Sequence, residues 1–305
     1  MGKRGWVCAA AIVAAACGGG SGGGDGAGAS GGSASDATCD AFVTVVCAKN
    51  AQCSSYGLST TYGDDATCRA RAKIGCLTSM ALPGSGATPE ALAACAQALP
   101  GASCAGAPPA CTPPGQLADG TSCSSSVQCK NGLCQKGANG GPCGVCKSQV
   151  ALGAVCTVGS DCAGTDVTCS AGICAQRPTA GAACSPSLQC ASGLTCVGNP
   201  GKCAQYAKLG EKCDPTNSAG PDCHLADGAA CIAHICTQVL YATAGQKCGL
   251  MANSVTACTK GTCTPANVCS AVKADGDACG QGDLCLAPAS CLSGHCTLPD
   301  PNTCK

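Results

Sequence analysis

Cysteine is the residue of this chain with the greatest capacity for chemistry, since 36 of the 305 residues are Cys. Only one pair, Cys143 and Cys146, has the Cys-x-x-Cys spacing of redox-active motifs. Such a pair needs a thiol of lowered pKa, typically at a helix N-terminus within a thioredoxin-like sheet. The residues around this pair do not predict that fold, so we interpret both cysteines as structural.

The other polar residues lack the spacing of a metal or catalytic site. Thiolate clusters that store metals need dense Cys-x-Cys repeats, and finger-type sites need paired Cys-x-x-Cys or His-x-His spacing. The three histidines have no such arrangement; they are His224, His234 and His295. Because His224 and His234 lie near Asp222 and Asp227 in the sequence, an incidental weak metal site there stays open. No motif links a histidine to a nucleophile. We therefore predict no catalytic residue, no metal and no cofactor.

The composition favours a disulfide scaffold over a conventional hydrophobic core. Aromatic residues are 2% and charged residues 11% of the chain, against about 25% charged residues in typical soluble domains. A high cysteine content in an exported chain is typical of folds that use bridges in place of a large core. Because the formal net charge is zero, nothing favours nucleic acid as a partner.

Residues 1–16 predict a signal peptide, because a short basic start precedes an Ala-rich run. That run is shorter than the about 20 residues of a membrane span. The segment Ala-Ala-Ala-Cys-Gly that ends it resembles the bacterial lipoprotein box, in which the cysteine, here Cys17, receives the lipid. That family usually has Leu where Ala14 stands, and an ordinary signal peptidase would also accept Ala14-x-Ala16.

Cysteine parity and the following segment favour lipid attachment at Cys17. Removal of Cys8 with the signal and lipidation of Cys17 leave an even number of the 36 cysteines, which can pair completely. Residues 17–35 form a Gly/Ser-rich linker that would hold a folded part clear of the membrane. In the lipoprotein family, Gly after the lipidated cysteine implies export to the outer membrane. We expect a protein anchored there or at the cell surface, with the membrane as a partner through its lipid.

Residues 36–115 predict a small helical module cross-linked by cysteines. Cys39 and Cys47 are eight positions apart, as are Cys68 and Cys76, and eight residues return to nearly the same face of a helix after about 12 Å. Two such helices running antiparallel would form the bridges Cys39–Cys76 and Cys47–Cys68. The arrangement resembles the twin-cysteine helical hairpins of small oxidised proteins, whose usual spacing is longer.

A third helix is predicted after Thr88, an N-cap residue followed by proline. The first helix is the weakest of the three, because its Val and Thr residues also suit a strand. Adjacency along the chain predicts two further bridges in this module, Cys53–Cys95 and Cys104–Cys111.

In residues 116–305 a Gly-x-x-Cys phrase opens six successive units, at intervals of 28 to 35 residues. The six repeat-start cysteines are Cys123, Cys156, Cys184, Cys213, Cys248 and Cys279. Units of about 30 residues bury too little apolar surface to fold without bridges. We predict a small disulfide-rich fold, in which the short helical module is followed by an elongated array of about six disulfide-stapled loop or β-hairpin repeats, with little regular secondary structure.

The pairing inside a repeat is open, because four cysteines allow three connectivities. We favour first-to-third with second-to-fourth. The first and last repeats have five cysteines each, so neither can pair wholly within itself. Either the repeat boundaries are offset or at least one bridge crosses between repeats.

The cysteine spacing of the array, beginning with Cys123-x5-Cys129-x4-Cys134, resembles the Dickkopf N-terminal cysteine-rich pattern. It is also similar to exported bacterial proteins that carry a domain of that name. The resemblance implies an extracellular disulfide-bonded module. It does not imply receptor binding, because the chain has no adjacent Cys-Cys pair and no colipase-like second domain.

Together these patterns predict a non-enzymatic, surface-anchored cysteine-rich lipoprotein that acts as a structural or binding and adhesion element. An extracellular protein or a polysaccharide would be its partner. Two alternatives stay open. One is a multi-headed protease inhibitor, since small stapled loops suit rigid presentation, and the other is a thiolate metal-binding protein.

Overall fold

A computed structural model of the chain describes residues 34–104, 109, 111–136, 141–251, 253–280 and 282–304. Four α-helices come first and 17 short strands follow. Every cysteine from Cys39 to Cys304 is bonded, in 17 disulfides. The predicted small disulfide-rich fold is confirmed. Within the described part, no helix has the length and apolar character needed to cross a membrane.

The helical module has four α-helices, one more than the sequence predicts. They are α1 (Ala34–Cys53), α2 (Ser55–Thr61), α3 (Asp65–Ala81) and α4 (Pro89–Ala98). Thr88 is the N-cap of α4, as predicted, and its hydroxyl accepts the Ala91 N–H at 3.3 Å. Asp64 caps α3 in the same way, through the Thr67 N–H at 2.7 Å. These side chains satisfy N–H groups that the first turn of each helix leaves free.

The longest helix is α1, although its Val and Thr residues also suit a strand. Val43 and Val46 are only 2% and 1% exposed, so the packing of one face outweighs the weak local preference for a helix. The helices α1 and α3 are joined at two levels by Cys39–Cys76 and Cys47–Cys68. These are the two bridges that the eight-residue spacing predicts.

The other two bridges of the module differ from the prediction. Cys53 bonds Cys104 and Cys95 bonds Cys111, so the predicted pairs Cys53–Cys95 and Cys104–Cys111 are wrong. The helix α4 packs against α1, and the single turn Leu99–Gly101 that follows it returns the chain toward the end of α1. Adjacency along the chain does not give distance once helices pack side by side.

We number the repeats 1 to 6 and assign them residues 116–148, 149–177, 178–205, 206–239, 240–272 and 273–304. Each contains an antiparallel strand pair, repeats 1, 3 and 5 have a third strand beside it, and repeat 5 has a second antiparallel pair. Parallel pairing occurs in the three-stranded sheet of repeat 5 and at isolated bridges in repeats 1, 2, 4 and 6. The strands in repeats 1 to 3 are β1 (Ser122–Cys123), β2 (Cys134–Lys136), β3 (Gly144–Cys146), β4 (Val167–Ser170), β5 (Ile173–Gln176), β6 (Ala183–Cys184), β7 (Leu194–Val197) and β8 (Gly201–Gln205). Those in repeats 4 to 6 are β9 (Ala229–Ile232), β10 (Ile235–Gln238), β11 (Leu240–Ala242), β12 (Gly249–Met251), β13 (Ser254–Cys258), β14 (Gly261–Cys263), β15 (Cys269–Ala271), β16 (Ser290–Leu292) and β17 (His295–Thr297).

All six repeats share one disulfide pattern, which is the pattern favoured from the sequence once Cys143, the fourth cysteine of repeat 1, is set aside. The first-to-third bridges are Cys123–Cys134, Cys156–Cys169, Cys184–Cys196, Cys213–Cys231, Cys248–Cys263 and Cys279–Cys291. The bridges from the second cysteine are Cys129–Cys146, Cys162–Cys174, Cys190–Cys203, Cys223–Cys236, Cys258–Cys269 and Cys285–Cys296. Two bridges per unit take over much of the role of a hydrophobic core.

The backbone explains why a glycine lies three positions before each of the six repeat-start cysteines. The φ angle of this glycine lies between +80° and +86° in all six repeats, in the left-handed region that side chains disfavour. In that conformation its N–H donates to the carbonyl of a bridged cysteine at the end of the hairpin, as from Gly120 to Cys146 at 2.8 Å. A Cβ added at these glycines would have no described neighbour within 4 Å. Conformation, and not lack of space, therefore selects glycine.

The cysteines left over in the two end repeats bond each other. Cys143 of repeat 1 and Cys304 of repeat 6 are 161 positions apart in sequence, and their Cα atoms lie 5.4 Å apart. We call this disulfide the closing bridge. It explains the odd cysteine number of both end repeats. It also corrects the elongated arrangement that we predicted, because the two ends of the array meet.

Arg71 on α3 fastens the helical module to repeat 6. Its guanidinium donates to both carboxylate oxygens of Asp275, at 2.6 and 2.7 Å. It also donates to the carbonyl oxygens of Leu286 and Ala287, at 2.7 Å each. The Arg71 side chain is only 11% exposed, so this two-pronged pairing is largely shielded from water.

Repeats 4 and 5 also contact the helices. Lys260 of repeat 5 lies 3.2 Å from the Asp64 carboxylate that caps α3. The Tyr241 ring of the same repeat lies 6.4 Å from the ring of Tyr56 on α2. The turn Leu225–Asp227 of repeat 4 packs beside α2. The helical module is thus a common support for widely separated parts of the array.

Candidate functional site

The predicted lipid-attachment residue, Cys17, lies outside the described residues, as does the whole signal peptide 1–16. The last two residues of the predicted linker, Ala34 and Ser35, belong to α1. The six repeat-start cysteines are all in first-to-third bridges, and two of them, Cys123 and Cys248, are fully buried. Their role in the structure is to hold each repeat together.

Cys143 and Cys146 do not bond each other, despite their Cys-x-x-Cys spacing. Cys143 forms the closing bridge, whereas Cys146 pairs with Cys129 inside repeat 1. A redox motif of this spacing cycles between a dithiol and a disulfide joining its own two cysteines. The arrangement favours a structural role for both residues.

In several repeats the cysteine Sγ atoms lie close enough together to bind a metal ion if the cysteines were reduced. In repeat 1, the Sγ atoms of Cys123, Cys129 and Cys146 lie within 4.8 Å of one another, and similar groups of three occur in other repeats. The closeness arises because the two bridges of each repeat pack side by side. Since the thiolate is the metal ligand, these oxidised sulfurs are not ligands in the form described.

The three histidines lie in separate local environments. His224 is 3.1 Å from the Asp227 carboxylate, and its ring centroid is 4.5 Å from that of Tyr206. His234 and His295 each place Nδ1 near a backbone carbonyl of their own repeat, at 3.4 and 3.2 Å. Each histidine ring therefore has its own local neighbours, and no two of the histidines contact each other.

Repeat 1 reveals a surface that can hold another chain segment. Its loop 123–129, between the first two cysteines, contacts residues 83–86 that connect α3 to α4. The Gln128 Nε2 donates to Pro83 O at 3.0 Å, and the Gly86 N–H donates to Val127 O at 2.8 Å. The adjoining Gln116 N–H donates to Gly84 O at 2.8 Å.

The loop of repeat 1 is buried. Ser124, Ser125 and Gln128 are 4%, 1% and 5% exposed. Gln128 Oε1 accepts the N–H groups of both serines, at 2.8 and 3.1 Å. The side chain therefore organises the loop with one polar atom and binds the docked segment with the other.

Repeat 2 has the same loop, but its surface is open. Loop 156–162 has the same spacing between cysteines, so Val158 falls at the position of Ser125 and Asp161 at that of Gln128. The Asp161 carboxylate accepts the N–H groups of Thr157 and Val158, at 2.8 and 3.0 Å. Val158, in contrast to Ser125, is 52% exposed.

Further large apolar side chains are exposed on repeat 2. Leu152 and Val155 are 59% and 75% exposed, and Ile173, which pairs with Val155 across the hairpin, is 40% exposed. The equivalent pairs in the other repeats are Ser122/Val145, Ala183/Lys202, Lys212/Ile235, Lys247/Val268 and Ala278/His295. Only in repeat 2 are both members large and apolar. We call Leu152, Val155, Val158 and Ile173 the repeat 2 apolar surface.

This surface is not among the features predicted from the sequence, although the sequence contains a signal for it. Alignment of loops 123–129 and 156–162 on their cysteines shows the exchange of serine for Val158. What the alignment cannot show is that the loop of repeat 1 binds residues 83–86, about forty positions earlier in the chain.

Comparison of the chain with protein-family models, with curated proteins and with solved structures found no match.

Proposed function

We propose that the protein is a non-enzymatic binding scaffold, exported and held at the bacterial cell surface by a lipid on Cys17. Its many disulfides indicate an extracellular or exported protein, because such bonds persist in oxidising compartments. Since Cys39 to Cys304 pair completely among themselves, no described cysteine is left to bond Cys17. That pairing supports the lipid anchor, together with the resemblance to the lipoprotein box.

The repeat 2 apolar surface is the observation that carries the binding role. Val155 and Ile173 pair across the hairpin, and a group of exposed large apolar side chains typically marks an interaction site. The two bridges of repeat 2 hold the backbone beneath Val155 and Ile173. A rigid frame reduces the ordering cost of binding. We propose an extracellular protein as the partner, because apolar side chains gain most from burial against other apolar groups.

The anchor is tested by the intact mass of the protein extracted from its native membrane, with free thiols alkylated before any reduction. We expect a chain that starts at Cys17, carries acyl mass and takes up no alkylating reagent. A chain without acyl mass would contradict the anchor. Many alkylated thiols together with co-purified metal would favour the thiolate metal-binding alternative.

The binding role is tested with the fluorescently labelled mature chain added to intact cells that lack it. We expect saturable binding, which the double variant Leu152→Ser/Val155→Ser loses. The matched control is Leu250→Ser, since Leu250 is also 75% exposed but lies on repeat 5. Equal loss with the control, or no binding by the unsubstituted chain, would contradict the proposal. Inhibition of a protease panel by the same preparation would favour the inhibitor alternative.

A further inference from the structure

Repeat 1 shows which ligand this type of loop accepts. Its docked segment, residues 83–86, is held through backbone groups, with one carbonyl received by the Gln128 side chain and one N–H donated to Val127 O. Backbone recognition of this kind depends mainly on the loop geometry, although the docked residues Gly84 and Gly86 also have to be small, since a Cβ on Gly86 would lie 1.9 Å from Pro113 O. A second loop of the same geometry therefore has the same capacity.

The loop of repeat 2 has that geometry. The Val150 N–H donates to Asp161 O at 2.7 Å, as the Leu117 N–H donates to Gln128 O at 2.8 Å in repeat 1. Thr157 adds a hydroxyl that donates to Asp161 Oδ2 at 2.6 Å, as the Ser124 hydroxyl does to Gln128. The two loops thus position their organising side chains in the same way.

Gln128 and Asp161 each use one side-chain oxygen to organise their own loop, and they differ in the second polar atom of the side chain. In repeat 1 that atom is Nε2 of Gln128, a donor that meets Pro83 O. In repeat 2 it is Oδ1 of Asp161, a buried acceptor without a hydrogen-bond partner among the described residues. A buried acceptor without a donor is costly, and more so when it carries charge. A donor is therefore what this position requires.

The carboxylate of Asp161 is ionised at neutral pH. Hydrogen bonds from the Thr157 hydroxyl, from the Thr157 N–H and from the Val158 N–H lower the pKa of Asp161 from 3.8 to about 2, and the Lys147 charge adds to the effect. A cationic donor complements such an oxygen better than a neutral one.

We infer that loop 156–162 is a docking site for an extended segment of a partner protein, in which a Lys or Arg meets Asp161 and an adjacent apolar side chain covers Val158. This inference rests on the proposed binding function and names its site and the chemistry of its partner. The Ser160 carbonyl, which corresponds to Val127 O, accepts the side-chain amide of Gln149 at 3.1 Å. The docked segment replaces that amide with a backbone N–H.

The reversed polarity of Asp161 gives the site its specificity. Residues 83–86 offer a carbonyl oxygen at this point, which suits Gln128 and is repelled by a carboxylate. The two loops therefore select different segments, and the chain's own connector does not compete for repeat 2.

The test uses a phage-displayed library of random twelve-residue peptides, selected on the full mature chain. We expect the enriched peptides to contain Lys or Arg next to a branched or aromatic apolar residue. Their affinity should fall about tenfold in Asp161→Asn and in Val158→Ser, the range given by loss of a charged hydrogen bond or of an apolar contact. Leu250→Ser is the control and should bind them unchanged.

A gain of binding provides the second arm. Asn at position 161 keeps an oxygen for the loop and presents a donor, as Gln128 does. The double variant Val158→Ser/Asp161→Asn should therefore bind a synthetic peptide of residues 81–88, which the unsubstituted chain does not bind. Mass spectrometry of the disulfides establishes that each variant retains the 17 bridges.

Three results would overturn the inference: no enrichment of any peptide, enrichment of acidic peptides, or binding that neither substitution changes. Failure of this site is distinguishable from failure of the proposed function. If cells still bind the chain when Val158 and Asp161 are replaced, the function stands and the site is wrong. If the peptides bind but cells do not, the site stands and the cell-surface function is wrong.

Discussion

Repeats 1 and 2 have the same bridges, the same loop spacing and the same hairpin, but opposite surroundings. In repeat 1 the loop is covered by residues 83–86, and Ser125 is 1% exposed. In repeat 2 the equivalent Val158 is 52% exposed. The difference shows that the two bridges determine the backbone of a repeat, whereas the side chains between the bridges can differ in role from one repeat to the next. The loop of repeat 1 packs against the helical module, and the equivalent loop of repeat 2 is exposed.

The same contrast extends over the whole array. Repeat 1 contacts the helical module through residues 83–86, repeat 5 through Lys260 and repeat 6 through Arg71. The described contacts of repeat 2 are with its neighbour, as where the Ser192 N–H of repeat 3 donates to Asp166 at 3.1 Å. Fastened and unfastened repeats should therefore differ in local stability, which amide hydrogen exchange measures repeat by repeat.

Removal of the closing bridge should have the largest effect. The double variant Cys143→Ser/Cys304→Ser releases a loop of 161 positions, and we expect the free energy of unfolding to fall by about 5 kcal/mol in the chain-entropy picture. Exchange should rise in both end repeats. The control Cys156→Ser/Cys169→Ser opens a separation of only 13, and its effect should be confined to repeat 2. The same exchange pattern in both variants would contradict the closed arrangement.

Replacement of Arg71 with Ala should have the next largest effect. It leaves the Asp275 carboxylate and two carbonyl oxygens without their donor. We expect a loss of about 2–3 kcal/mol in denaturant unfolding, with faster exchange in repeat 6. Arg69→Ala is the matched control, because Arg69 is 47% exposed and pairs only with Asp65 on its own helix. A loss as large in the control would show that Arg71 does not fasten repeat 6.

A smaller effect is expected for Gly153→Ala in the unfastened repeat 2. The φ of Gly153 is +85°, and a side chain in that region costs about 1 kcal/mol. Exchange should rise in repeat 2 alone. Gly75→Ala on α3 is the opposite case, since nothing described lies within 4 Å of an added Cβ and its φ is not positive. It should stabilise α3 by about 0.5–1 kcal/mol, and destabilisation there would contradict this account of the glycines.

The smallest effect is expected from acid at the contact of Asp64 with Lys260. The hydrogen bonds from Thr67 and Lys260 lower the pKa of Asp64 from 3.8 to about 2. A carboxylate whose pKa is lower in the folded state stabilises it fully above about pH 4, and that stabilisation is lost as the pH falls toward 2. The free energy of unfolding should therefore decline more steeply between pH 5 and pH 2 in the unsubstituted chain than in Asp64→Asn. Parallel curves would assign the acid sensitivity to other carboxylates.

The local features of the fold could be predicted from the sequence because they are set by short-range spacing. The bridges Cys39–Cys76 and Cys47–Cys68 follow from helical periodicity, and the repeat pattern follows from recurring Gly-x-x-Cys. Distant contacts could not be predicted. The odd cysteine counts left either offset repeat boundaries or a bridge between repeats. Nothing local identified Cys143 with Cys304, and no pattern links Arg71 to Asp275.

The candidate site escaped the sequence analysis for a related reason. Val158 is an ordinary valine in the sequence, and Asp161 is one of several Asp residues in turns. Their significance depends on the comparison with a covered loop, and the cover comes from the connector between α3 and α4. Once that contact is known, the positions are readable from the alignment of the two repeats.

The closing bridge keeps the chain in one piece after a single proteolytic cut. Any single backbone cut between Cys143 and Cys304 leaves two pieces that the bridge still joins. One peptidase event therefore cannot shed the distal repeats from the part of the chain that leads to the N-terminus. The loops of repeats 2 to 5 can lie exposed, available for contact, and a nick in any one of them does not by itself release material.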